Sequence, residues 1–116
     1  MMFTPEILAA RETFLMAELA YISAARREAV RAIKSILPDA KYLVVEYGYS
    51  GDRYLPVAIE DSNEAITSVR DVAEPVNERI EFALHASGYV HDYAEDIPAG
   101  HPFHPTADRR IPLDTW

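Results

Sequence analysis

The first 37 residues place the strongest constraint on the fold, because they predict one long helix. Thr4-Pro5 is a typical helix start, since threonine caps free backbone amides and proline suits the first helical position. The helix is expected to end before Pro38, which cannot continue it. A helix over residues 5–37 has about 33 residues, which is long for a chain of 116 residues.

The two halves of this predicted helix differ in character. From Ile7 to Ala25 the apolar side chains cover far more than one stripe, whereas the part from Arg26 to Leu37 is amphipathic. A helix that is apolar nearly all round is normally buried on more than one side. In a chain this short, the other elements can cover only about one side of the helix. We therefore expect homodimerisation or docking on another protein. The alternative is a break near Ser23 that gives a self-covering antiparallel helix pair.

The residues predicted to contact a partner are apolar or aromatic. Tyrosine and tryptophan suit interfaces because their rings bury a large area while their polar atoms keep hydrogen bonds. A tryptophan at the end of a polar segment either folds back on the domain or inserts into a partner. The candidate interface residues are Phe14, Leu15, Leu19, Ile22, Tyr89, Tyr93, Phe103 and Trp116.

The middle of the chain predicts a β-hairpin, so the fold class is expected to be α+β. Residues 41–49 and 53–60 are rich in β-branched and aromatic side chains and flank a Ser-Gly-Asp turn. Pro56 cannot donate a backbone hydrogen bond, which predicts a bulge or an edge there. Residues 62–70 are interpreted as a turn and a short strand, which would give a three-stranded antiparallel sheet.

A second helix is predicted by an apolar stripe at helical spacing from Val76 to Ser87. Asp71 and Glu74 resemble a capping box at its start, and Gly88 is a natural stop. The chain beyond is rich in proline and has no sustained period. We therefore expect one α+β domain over 1–88 and an irregular C-terminal arm over 89–116, packed on the domain or on a partner.

The net charge of −8 lies mostly in the second half of the chain. This balance disfavours direct nucleic-acid binding, which needs clustered lysine and arginine for phosphate contacts. It suits either simple solubility or a basic protein partner. The candidate acidic contacts to such a partner are Glu78, Glu81, Asp92, Glu95 and Asp96.

A histidine cluster near the C-terminus is the candidate metal site. Imidazole and carboxylate are ligands that zinc accepts, and the residues are His91, His101, His104 and Asp108. Pro102 and Pro105 exclude a helix that would bring two of the histidines to one face. Only a ring-like loop would gather these side chains. No other cofactor is expected, and no nucleophilic triad is recognised.

The remaining exclusions concern compartment and class. The chain has no cysteine, so disulfides and thiolate metal sites are excluded. No apolar run approaches the roughly 20 residues that span a bilayer, and the N-terminus lacks the basic start of a secretory signal. We expect a cytoplasmic, non-enzymatic, acidic homodimer that binds another protein, for example a phage-type inhibitor of a basic nucleic-acid-binding protein. The alternatives are a metal-dependent enzyme and a subunit of a virion or other assembly.

Overall fold

The structure is a computed structural model that describes residues 4–47, 54–87, 94–98 and 109–116. It has the predicted α+β class, with two helices and a five-stranded antiparallel sheet. A short 3-10 turn over Val69–Asp71 precedes the second helix. The elements in chain order are α1 (Pro5–Ile36), β1 (Ala40–Tyr47), β2 (Tyr54–Asp61), β3 (Ile66–Ser68), α2 (Glu74–Ser87), β4 (Glu95–Asp96) and β5 (Arg109–Pro112).

Helix α1 is continuous over 32 residues. Thr4 caps it as predicted, because its Oγ1 accepts a hydrogen bond from the Ile7 amide at 3.2 Å. At the other end the Leu37 amide donates to the Ile33 carbonyl, and Pro38 follows. The alternative of a break near Ser23 is therefore excluded. Neither helix in the described part of the chain is long and apolar enough to cross a membrane.

The sheet has the order β3-β2-β1-β5-β4. The predicted hairpin is confirmed as β1 and β2, and the predicted third strand as β3. Val44 pairs with Ala58 and Val45 with Pro56, which leaves Val57 as an extra residue on β2. This irregularity lies beside the proline that predicted it, since proline has no amide hydrogen for the ladder. The Ser-Gly-Asp turn lies outside the described residues.

The described part of the predicted irregular arm contributes two strands, which the sequence did not predict. β5 pairs with β1, with Leu43 opposite Ile111, so it lies inside the sheet between β1 and β4. The residues that follow β5 turn back into the core, where Leu113 and Trp116 are buried. Trp116 therefore takes the first of its two predicted positions, folded back on the domain.

The main core lies between one face of the sheet and the two helices. It joins Ile33 of α1, Ile59 of β2 and Ile80 of α2, each at most 1% exposed. The other face of the sheet carries a smaller buried cluster around Val44 and Ala58. Alternation of side chains along the strands separates these two clusters.

The predicted capping box at the start of α2 is wrong. Asp71 lies in the 3-10 turn, and α2 begins at Glu74 itself. The turn is held instead by Asn77, whose Nδ2 donates to the Val69 carbonyl at 2.6 Å and to the Val72 carbonyl at 3.3 Å. These bonds fix the turn to the helix but do not cap its free amides, and the first amide hydrogen bonds of α2, from Val76 and Asn77, go to the Ala73 carbonyl.

Candidate protein-binding site

The N-terminal half of α1 extends beyond the other described elements. Every residue from Thr4 to Tyr21 is exposed, and the first buried residue of the helix is Ala25. We call residues 5–21 the projecting helix, and residues 22–36 of α1 together with α2 and the sheet the domain body. At 1.5 Å per residue the projecting helix is about 25 Å long. The radius of gyration is accordingly 16.4 Å, against about 13 Å for a compact chain of this size.

The projecting helix exposes large apolar side chains around much of its circumference. Phe14 and Leu19 are each 66% exposed, although both are residues that proteins commonly bury. Contiguous apolar surface of this kind marks interaction sites. The exposed large hydrophobic residues on this segment are Ile7, Leu8, Phe14, Leu15, Met16, Leu19 and Tyr21.

Four of the apolar residues near this end of α1 form one narrow stripe. Leu8, Leu15, Leu19 and Ile22 fall within about 60° of one another at 100° per residue. We call these four residues the leucine stripe. The same side of α1 continues to Ile33, which is buried in the core. The stripe therefore extends the core-facing side of the helix into the part where the domain body no longer covers it.

Charged residues lie along both edges of the leucine stripe. Arg11 and Glu18 share one edge, and Glu12 lies on the other. All three side chains are exposed. Apolar seams with charged residues at their edges are typical of helices that pair with another helix.

The part of α1 where the projecting helix joins the domain body is held to α2 by polar and aromatic contacts. Arg26 Nε donates to Ser87 Oγ at 2.9 Å, near the end of α2. The rings of Tyr21 and Phe82 meet edge to face with centroids 5.8 Å apart. Phe82 remains 52% exposed, so apolar surface continues from the projecting helix onto α2.

The predicted interface residues fall into separate places. Phe14, Leu15 and Leu19 are exposed on the projecting helix, and Ile22, directly after it, is partly buried. Trp116 is 9% exposed and belongs to the main core, so it is not part of this surface. The other three, Tyr89, Tyr93 and Phe103, lie outside the described residues.

The predicted acidic contacts are also split. Glu78 and Glu81 are exposed on the outer side of α2. Glu95 and Asp96 instead form ion pairs with the neighbouring strand. Glu95 accepts from Arg110 Nε at 2.6 Å, and an Asp96 carboxylate oxygen lies 3.7 Å from Arg109 Nη2. Asp92 lies outside the described residues.

The candidate metal ligands His91, His101, His104 and Asp108 all lie outside the described residues. Within the parts of the chain that the structure does describe, no group of three or more His, Asp or Glu side chains converges as metal ligands. The metal site therefore stays a prediction.

A buried ion-pair network lies on the face of the sheet away from the helices, and the sequence did not predict it. Arg110 Nη1 lies 3.5 Å from Glu60 Oε2, and its guanidinium stacks 4.0 Å from the centre of the Tyr42 ring. Glu60 is only 1% exposed. Together with Glu95, these residues connect β4 and β5 to β2 across β1. The sequence Arg109-Arg110 indicates these ion pairs only once the pairing of β5 with β1 and β4 is known.

An open groove of about 590 Å³ lies between α1 and α2 and is lined partly by Arg27, Arg31 and Arg79. Arg79 Nε is 3.2 Å from Glu28 Oε1, so one of these cations is already paired. Ser35, the hydroxyl in the lining, donates to the Ala32 carbonyl at 2.6 Å. A serine that bonds its own helix in an open groove does not indicate a nucleophile.

The described residues define a small α+β protein whose most unusual surface is an apolar helix that leaves the domain body. Comparison of the chain with known protein families, curated proteins and solved structures finds no match. The projecting helix is therefore the feature from which a function has to be inferred.

Proposed function

We propose that this protein acts by binding proteins through the projecting helix, and that its partner there is a second copy of the chain. The observation that supports this is the run of exposed apolar side chains from Ile7 to Tyr21. In the domain body, by contrast, only Ile36, Leu55 and Phe82 are exposed large apolar residues among those that the structure describes. A helix of this composition is stabilised when another apolar surface removes it from water.

The size of the gain can be worked from the leucine stripe. Leu8, Leu15 and Leu19 are 48%, 44% and 66% exposed. Burying a whole leucine gives about 1.5–3 kcal/mol, so covering these partly exposed ones gives about 1 kcal/mol each. Two copies contribute six such side chains, or about 6 kcal/mol. Association costs about 4–15 kcal/mol in lost translational and rotational freedom, so the gain is similar in size to the lower part of this cost. The stripe therefore supports a reversible dimer whose population depends on concentration.

The narrower functions stay predictions. An inhibitor of a basic protein would use the exposed carboxylates of Glu78 and Glu81, while Glu95 and Asp96 are already paired with arginines. A metal-dependent enzyme would use histidines that lie outside the described residues. An assembly subunit would also use exposed apolar surface, but it would form larger particles than a closed dimer.

Self-association is tested by light scattering coupled to size exclusion over a range of loading concentrations. We expect a mass that rises from one chain towards two, and Leu15→Asp should remain a monomer because a carboxylate on the stripe has to be desolvated on pairing. Leu15 lies outside the core, so this variant should keep the folded circular dichroism of the parent. Ala17→Asp, an exposed change on the opposite side of the helix, should dimerise like the parent.

Two results would overturn the proposal. One is a parent protein that stays a monomer at every concentration up to about 1 mM, where a Kd corresponds to only about 4 kcal/mol of association free energy. The other is a Leu15→Asp variant that is folded and dimerises as well as Ala17→Asp. Species larger than a dimer that grow with concentration would support the assembly subunit instead.

A further inference from the structure

We infer that the two projecting helices pair antiparallel, with the two-fold axis of the dimer passing beside Leu15. This inference rests on the proposed function, which makes a second copy the occupant of the leucine stripe. It specifies the orientation and the register, which three features of α1 support.

The free length of α1 is the first feature. The helix begins at Pro5, and its first buried residue is Ala25. Residue 15 is the midpoint of this free length from residue 5 to residue 25. With the axis at Leu15, residue 5 of one copy lies opposite residue 25 of the other. Each helix then covers the whole projecting helix of the other copy and ends level with Ala25, where the other helix is first buried. A shift by one heptad would either leave apolar residues uncovered or drive one helix into the other body.

The leucine stripe is the second feature. In this register Leu15 lies opposite Leu15 of the second copy, and Leu8 lies opposite Ile22 of the second copy. Both contacts occur between residues of the stripe, which is the narrow apolar seam that a helix pair needs. Leu19 packs beside the partner's stripe at the level of Glu12, whose carboxylate lies at the edge and reaches water.

Charge complementarity is the third feature. In an antiparallel pair the same edge of each stripe faces its own copy, so Arg11 lies opposite Glu18 of the second copy. The two-fold axis repeats this contact, which gives two ion pairs. Neither residue has a charged neighbour three or four positions away on its own helix, so neither has an intrahelical ion pair to break.

A parallel pair is disfavoured by two observations. The domain body covers the stripe side of α1 at Ala29 and Ile33, so two parallel copies would bring their bodies into the same space. Parallel pairing in register would also place Glu12 beside its own copy at the edge of the seam, where like charges repel. The antiparallel arrangement places the two bodies at opposite ends of the helix pair and avoids both problems.

Cysteine cross-linking tests the orientation cleanly, because the chain has no cysteine of its own. Leu8→Cys and Ile22→Cys are purified separately, mixed at a concentration where the parent is dimeric, and oxidised under mild conditions. We expect the mixed disulfide between the two variants to form faster than either self-cross-link. Leu15→Cys should cross-link to itself, and Ala17→Cys, on the opposite side of the helix, should not.

The outcomes separate this inference from the proposed function. If Leu8→Cys and Ile22→Cys each cross-link to themselves faster than to each other, the antiparallel orientation is wrong and self-association stands. If the parent is dimeric but neither the mixed pair nor Leu15→Cys cross-links, a different surface forms the dimer and both proposals are wrong. A parent that never dimerises removes the proposed function, and this inference with it.

Charge reversal tests the register independently. Arg11→Glu and Glu18→Arg should each weaken the dimer at least about threefold at low salt, because each places like charges at two symmetric contacts. The double variant Arg11→Glu/Glu18→Arg should return to within about twofold of the parent, since it restores both pairs in reverse. Glu6→Arg, on the far side of the helix, is the matched control and should not weaken the dimer. If the double variant instead loses as much dimerisation free energy as the two single variants added together, the register is refuted.

Discussion

Ile111→Ala tests whether the C-terminal strand is part of the folding unit. Ile111 is fully buried in β5, opposite Leu43 at the centre of the sheet. Truncating a buried isoleucine to alanine costs about 2–5 kcal/mol, and the complete burial here places the expected loss near 3 kcal/mol. That is a large part of the about 5–15 kcal/mol by which domains are stable. With a urea dependence of about 1.5 kcal/mol per molar, the unfolding midpoint should fall by about 2 M.

The assay uses the only tryptophan of the chain, Trp116, which is buried in the same core. Urea unfolding is followed by its fluorescence and by far-ultraviolet circular dichroism at one fixed protein concentration, because dimerisation makes stability depend on concentration. The two signals should change together. Ile36→Ala, the same truncation at a 43% exposed position of α1, should cost less than about 1 kcal/mol. Equal losses for the two variants, or tryptophan fluorescence that changes well before the helix signal, would refute the placement of β5 in the core.

Three further variants are expected to change the stability of the protein. Arg110→Met should lower the free energy of unfolding by about 3 kcal/mol, because it removes a cation from the buried Glu60 carboxylate; Arg109→Met is the control and should cost less. Glu64→Gly should raise the free energy of unfolding by about 0.5–1 kcal/mol, because Glu64 has a φ of 64° that glycine adopts freely; unchanged stability in urea would contradict this. Deleting residues 109–116 should give a chain without cooperative unfolding, which circular dichroism melting detects.

Local sequence signals were sufficient for the elements that depend on local sterics. Thr4-Pro5 and Pro38 bound α1 because capping and the proline ring act within a few residues. The hairpin and the buried stripe of α2 follow in the same way from side-chain periodicity. The capping box was wrong because Asp71 and Glu74 have the right spacing but the chain turns between them.

The elements that the sequence did not predict depend on contacts between distant parts of the chain. β5 has four residues, two of them arginines and one a proline, so it shows no strand pattern of its own. It becomes a strand because β1, more than 60 residues earlier, offers a free edge and because Ile111 fills the core. The same reasoning explains Trp116, because the sequence alone does not decide between the core and a partner for this side chain.

For the candidate site, the sequence predicted which residues are apolar but not which side of α1 is free. The apolar surface of the helix, which is more than one chain is expected to cover, predicts Phe14, Leu15 and Leu19 as contacts. That α1 is first buried at Ala25, and that the leucine stripe continues the core-facing side of the helix, became visible only in the folded structure. These two facts are what define the orientation and register proposed for the dimer.

Amide hydrogen exchange of residues 8–22 at several protein concentrations tests the central claim most directly. An unpaired projecting helix makes few buried contacts and should open readily, whereas a paired one is held by the partner. We expect slow exchange in this segment to appear with increasing concentration, in step with the dimer mass, while exchange in β1 stays slow throughout. Fast exchange of residues 8–22 at concentrations where the protein is fully dimeric would contradict the account.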